Sequence, residues 1–301
     1  MADFPPPIHP RRLLITYLAI SVAALVWAYW TTLTEIAERW NLDPQYSHGY
    51  LVPVFSLFLL WTRRDLMPTR PLQPSWTGAW LLLIGIGTRL AGAFFNFIWL
   101  DEISLLPCLA GVVYLLGGSA AWRWAWPAVA FLVFMIPLPY RFGLLMAGQL
   151  RHLATLVSTF LLQCCGIPAL ADGNRILLND LPPLDVAEAC SGLRMLVVFF
   201  ALTVGLAFII QRPLWEKLLI IATAVPIALV TNVIRITATG ICWQLAGKAA
   251  GKALFHDMAG WLMMPIGLAL LWAVLQLLNH LLIEPAGDAR RVAPLNALGR
   301  A

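Results

Sequence analysis

Charge is what this sequence has least of. Only 12% of its 301 residues are Asp, Glu, Lys or Arg, while 60% are hydrophobic. An average soluble domain carries about 25% charged residues, so an ordinary soluble fold is excluded and most of the chain belongs in a bilayer. The net charge of +5 is not gathered into a basic face, which removes the case for a nucleic-acid partner. Metal-ligand spacing is missing as well. No Cys-x-x-Cys or paired Cys/His pattern occurs, and Cys164-Cys165 are adjacent, so neither a structural metal nor a cofactor is expected. There is no tandem repeat and no second soluble domain.

What is present is a series of apolar runs separated by short polar intervals. Leu13 to Leu33 is long enough to span and follows Arg11-Arg12, which places its start in the cytoplasm. A polar external segment with Glu35, Glu38, Arg39 and Asp43 comes next. Leu51 to Trp61 returns inward to Arg63-Arg64. Trp76 to Phe97 crosses outward. Ile103 to Gly117 and Trp124 to Leu138 read as a hairpin whose turn carries Arg123. Phe142 to Gln163 holds Gln149, Arg151 and His152 among apolar residues and reads as an amphipathic helix at the outer interface.

Asp172-Gly173 signals a small β-hairpin, and Pro182-Pro183 break the piece that follows it. Leu193 to Ile210, Leu218 to Ile236 and Ala259 to Ile283 are the last spans, with an external loop holding Lys248 and Lys252. The expectation is an all-α polytopic membrane protein with about eight transmembrane helices and both termini inside. A cytoplasmic tail covers 1–12, the transmembrane domain 13–283 and a second cytoplasmic tail 284–301.

This topology brings three reactive groups to the outer face. Cys190 opens the sixth helix, Arg235 lies near the outer end of the seventh, and His256 immediately precedes the eighth. A helix N-terminus and nearby cations lower a cysteine pKa to about 3.5–7.5. A histidine in reach holds the thiolate and later protonates a leaving amine. An arginine offers donors to the oxyanion of a tetrahedral intermediate. The set points to acyl transfer through a thioester.

Each residue also has a plainer reading. Most membrane-helix cysteines are inert, and Cys108, Cys164, Cys165 and Cys242 are read as small buried hydrophobes. Arg235 could be a structural charge paired to an acid, and His256 could cap a helix with Asp257. Arg194 shares the helix face of Cys190 and competes with Arg235 for the oxyanion role. Asn232 is placed to hold the Arg235 guanidinium. Glu188 and Asp185 are placed to orient His256 or Arg194. His48 is structural or substrate-positioning.

At these residues the chain resembles the exosortase family, the bacterial branch of the exosortase/archaeosortase membrane transpeptidases. The likeness rests on Glu188-Ala-Cys-Ser-Gly-Leu-Arg194, on Asn232-Val-Ile-Arg235 and on Phe255-His256-Asp257 followed by Gly260. Tyr46-Ser-His-Gly49 with Pro53, and Phe131 through Pro137-Leu-Pro139, add to it. The resemblance implies cleavage of C-terminal Pro-Glu-Pro (PEP-CTERM) sorting signals on membrane-anchored proteins, at the outer face of the inner membrane. The new carboxyl end then passes to an unidentified acyl acceptor, in association with exopolysaccharide systems. It assigns the nucleophile, oxyanion and acid/base roles to Cys190, Arg235 and His256. Only a short tail follows Ile283, so the extra soluble domain of some relatives is not expected.

Two other classes fit the composition. A multi-pass transporter would show inverted repeats and helices broken near the midplane, and its transport would survive Cys190→Ala. A non-catalytic scaffold of polysaccharide export would tolerate Cys190→Ala or His256→Ala but not truncation.

Overall fold

The structure, a computed structural model, describes residues 10–67, 75–178, 181–186, 192–253 and 259–281. It divides into two compact units, Met1–Pro139 and Tyr140–Ala301. Large apolar side chains cover the outside, with Trp27, Trp76, Phe94 and Leu245 each at least 80% exposed. A surface this greasy matches a bilayer and not water.

The first unit contains α1 (Pro10–Ala28), α2 (Trp30–Leu42), a 3-10 segment Pro44–Tyr50, α3 (Leu51–Thr62), α4 (Thr77–Phe94), α5 (Ile98–Ile103) and α6 (Leu105–Phe131). The long first helix expected from the sequence breaks at Tyr29, and α2 leaves α1 at 74°. Tyr29 is buried, with its hydroxyl 2.8 Å from Ser104 Oγ. The segment expected as an external polar loop is α2, because Thr32, Ile36 and Trp40 recur at helical spacing and are buried. Its arginine and a threonine reach the acids of the next segment. Arg39 binds the fully buried Glu102, and Thr32 Oγ1 donates to Asp101 at 2.6 Å. Arg89 pairs with Asp101 at 3.1 Å and lies over the Tyr29 ring.

α4 carries Gly78, Gly85 and Gly92 at seven-residue spacing, all buried. A Cβ on each would run into Leu115, Cys108 or Asp101 respectively. Small residues thus let α4 and the following chain approach backbone to backbone.

α6 is a hairpin, as the sequence indicates; the reversal is made at Gly118, the first residue of the expected 118–123 turn, and Arg123 already lies in the second arm. Gly118 has φ 60 and ψ −157, a region open to glycine alone. The rings of Tyr114 and Trp122 are 5.3 Å apart, whereas eight residues of continuous helix would separate them by about 12 Å. The first arm packs on α4 and the second on α3. Four side-chain bonds clamp the latter contact. Ser56 donates to Ala128 O, Trp124 Nε1 to Leu60 O, and Arg63 to Trp124 O and Arg123 O.

The second unit contains α7 (Tyr140–Cys164), strands β1 (Ala169–Asp172), β2 (Arg175–Leu178) and β3 (Leu181–Asp185), then α8 (Gly192–Ile209), α9 (Leu214–Ala222), α10 (Ala224–Ala253) and α11 (Ala259–Leu281). The β1–β2 hairpin turns on two residues with Asp172 opposite Arg175. Gly173 takes φ +60, the position that a type II′ turn reserves for glycine. Pro182-Pro183 do not end the sheet. They lie inside β3, an edge strand with an irregular register, where a missing N–H can face outward. α9 and α10 follow each other so closely that Leu214–Gly247 forms one 34-residue apolar stretch. The helix therefore continues past Ile236, where the sequence suggests a loop, as far as Ala253 with a break at Gly247.

By length and composition, four helices among the described residues can cross a membrane, and a fifth if α1 and α2 count as one bent span. α8 is apolar but shorter. The eight crossings expected from the sequence are not reached by this count. Short apolar runs such as α3 fall below a full span, and both arms of α6 lie within one candidate, Ile98–Met135. The cysteines also differ from expectation: Cys108 is buried, but Cys164 and Cys165 are exposed.

Candidate functional site

The second unit positions the predicted residues through one core. Ala154 and Leu162 of α7, Ile176 and Leu178 of β2, Leu184 of β3 and Val186 just beyond it, and Val233, Ile236 and Trp243 of α10 pack together. Val186 also donates its N–H to Asn174 O at 3.0 Å. The chain thus leaves the sheet at the hairpin turn, tied to the same core that holds the residues on either side of Arg235. It resumes at Gly192 in α8, where Leu193 is buried against Gly143 of α7.

The helix lengths set the heights. α8 and α9–α10 are antiparallel neighbours joined at residues 210–213. At 1.5 Å per residue, Gly192 stands about 26 Å from that turn and Arg235 about 32 Å. α11 returns to the same turn, where Asn279 binds Arg212. Its first residue, Ala259, stands about 30 Å away by the same measure. The start of α8, Arg235 and the start of α11 therefore share one level. α7 lies across this end, touching α8 at Gly143 and α10 where Ser158 donates to Val233 O at 3.4 Å.

Cys190 and Glu188 lie between Val186 and Gly192, and His256 and Asp257 between Ala253 and Ala259. All four fall outside the described residues. Arg194 and Arg235 are both half-buried. Asn232 is 2% exposed, one turn before Arg235, and its Nδ2 has no hydrogen-bond partner among the described residues. The Arg235 carbonyl accepts from Thr239 Oγ1 at 2.9 Å. Asp185, expected near the site as an orienting acid, pairs with Arg175 at 3.3 Å.

His48 belongs to the first unit, in the 3-10 segment Pro44–Tyr50, and is half-buried. The neighbouring Gly49 leaves no room for a Cβ against the Trp40 ring. Burial, with the Asp43 charge adding to it, raises the Tyr46 hydroxyl above its ordinary pKa.

Sequence reasoning gives no role to Arg151. It sits on α7 between the buried Leu150 and Ala154, and its Nε is buried with no partner among the described residues. The available signal is an arginine on the apolar face of an amphipathic helix. Together with Arg194 and Arg235 it puts one guanidinium on each of three mutually packed helices.

No curated relative and no solved structure matches the chain. A family model of transmembrane exosortases matches residues 40–273. That stretch takes in the last three residues of α2, the hairpin of α6, the sheet and the helices carrying Arg194 and Arg235, and so the chain belongs to the transmembrane exosortase family.

Proposed function

We propose that this multi-pass membrane protein is a cysteine transpeptidase that cleaves Pro-Glu-Pro sorting signals, with Cys190, Arg235 and His256 as its reacting set. The observation that carries the reading is the shared level of the start of α8, Arg235 and the start of α11. Cys190 is tethered four residues from Val186 and two from Gly192, within about 14 Å and 7 Å of fully extended chain. His256 is three residues from Ala259, within about 11 Å.

The Cys190 thiolate attacks the scissile carbonyl, forming a C–S bond and an oxyanion that Arg235 stabilises. The C–N bond breaks as His256 gives a proton to the leaving amine, and a thioester remains. An acceptor nucleophile, or water, then attacks that thioester. Its proton passes to His256, and the thiolate departs. The substrate's own transmembrane helix keeps its basic end in the cytoplasm, which holds the motif on the outer face of the inner membrane. Arg194 tunes the thiol, and Arg151 adds positive charge beside it. The link to exopolysaccharide rests on the family resemblance alone.

The test is processing of a tagged reporter with a Pro-Glu-Pro sorting tail, in cells holding wild type or Cys190→Ala at matched levels. Cleavage by wild type with accumulation of uncut precursor in the variant is expected. Equal cleavage in both removes Cys190 from the mechanism. Mass analysis of the new C-terminus separates transfer from hydrolysis.

A further inference from the structure

In the first unit, a groove of about 630 Å³ runs between the two arms of α6 and along α4. Trp80 and Leu81 of α4, Leu106 and Ala110 of the first arm, and Trp126 and Ala130 of the second form its walls. Tyr114 and Trp122 close it near the Gly118 turn. Nearly all of this wall is apolar. Both elements that form it belong to candidate membrane spans, so the groove faces hydrocarbon and is filled by something apolar.

Its size selects the occupant. From the Tyr114–Trp122 end to the Leu106–Ala130 end is about 12 Å of helix. Spread over that length, 630 Å³ gives a cross-section of about 50 Å², roughly half that of a helix 11 Å across. A cross-section of that size suits a flexible hydrocarbon chain and would take a transmembrane helix only in part.

Charge selects the headgroup. Arg123 is exposed and lies seven residues before Ala130, so it stands over the same edge of the second arm. Arg63 is held beside it by the carbonyls of Arg123 and Trp124. Tryptophan and tyrosine beside arginine, at the end of a span, are the composition of a membrane interface. Basic pockets between helices at the cytoplasmic side hold anionic lipid headgroups.

We infer that the α4–α6 groove is a binding site for one anionic glycerophospholipid, with an acyl chain between the arms of α6 and its phosphate at Arg123 and Arg63. The site is separate from the proposed reaction and does not depend on that reading.

The full chain, purified in detergent and reconstituted in nanodiscs, is measured by native mass spectrometry with phosphatidylglycerol or phosphatidylcholine as the probe. Wild type is expected to keep one phosphatidylglycerol through detergent exchange, with about a fivefold preference over phosphatidylcholine, as one guanidinium near the surface provides. Ala130→Phe fills the groove from an exposed position and is expected to lose the bound lipid. Arg123→Gln is expected to keep a lipid but lose the preference. A photo-crosslinking residue at position 130 should label lipid. Equal retention by wild type and Ala130→Phe, no headgroup preference in wild type, or labelling of a sorting-signal peptide in place of lipid overturns the proposal.

Discussion

Arg63 donates through Nη2 to the carbonyl oxygen of Arg123 at 2.9 Å, and that carbonyl is the one whose helical donor Pro127 removes. A proline inside a helix lacks the N–H that residue i−4 requires. Here a guanidinium from α3 supplies the missing donor, and it takes the next carbonyl, that of Trp124, at 3.3 Å. Two bonds to one side chain thus stabilise a proline-containing arm and fix α3 against it.

The first prediction follows from that pair. Arg63→Met is expected to lower stability by about 0.5–1.5 kcal/mol, because it removes two hydrogen bonds, one exposed and one part-buried. Pro127→Ala restores an amide to the same carbonyl, so Arg63→Met should cost less in that background. Thermal unfolding in detergent across the four proteins measures the coupling. Independent effects would show that Arg63 does not stand in for the missing amide.

The glycines of α4 give a contrast within one helix. A Cβ at Gly78 meets the backbone of Leu115, whereas one at Gly87 meets nothing. Gly78→Ala is expected to destabilise by about 1–3 kcal/mol through overpacking. Gly87→Ala should be neutral or slightly stabilising through helix propensity. Melting temperatures of the two variants decide it, and the reverse order would mean that the α4–α6 contact is looser than described.

Glu102 is fully buried and its partner Arg39 is not. Removing only the arginine leaves a buried carboxylate uncompensated. Arg39→Met is expected to cost about 3 kcal/mol, while Arg39→Met with Glu102→Leu should recover most of the loss. Chemical or thermal denaturation of both proteins checks the sign of that recovery.

In the proposed reaction the two arginines separate by magnitude. Arg235→Gln removes an oxyanion donor and is expected to slow processing about 10²–10³-fold. Arg194→Gln, which removes only a charge near the thiol, should slow it less than about tenfold. Rates of reporter cleavage at matched expression rank them. A larger loss at Arg194 would transfer the oxyanion role to it.

The sequence makes the helices legible because apolar runs need no partner to be recognised. Less legible is where they stop or turn. Gly117-Gly118 reverses α6 because only glycine takes that backbone geometry, while the charged Arg123 draws attention away from it. Nothing between Thr237 and Gln244 interrupts a helix, yet the hydropathy falls there, and a loop was the natural expectation. The polarity of Glu35, Glu38 and Arg39 hides α2, whose buried stripe is only three residues wide. Pro182-Pro183 read as a break until an edge strand accommodates them. At the candidate site, the motif around Cys190 and the pair Asn232 and Arg235 are legible from residue type and spacing. Arg151 is not, because its importance comes from which face of α7 is covered.

The apolar stretch from Leu214 to Gly247, two helices that meet end to end at Thr223, acts as a ruler with a dial attached. It carries Arg235 about 32 Å from its start, just beyond the ~30 Å thickness of a hydrocarbon core. The helical length from Leu214 to this guanidinium thus matches the full thickness of a hydrocarbon core. Height and bearing are fixed together. One residue added below Asn232 would raise the guanidinium by only about 1.5 Å but swing it by about 100° around the helix axis. Height along the helix and bearing around its axis cannot drift separately in such a design.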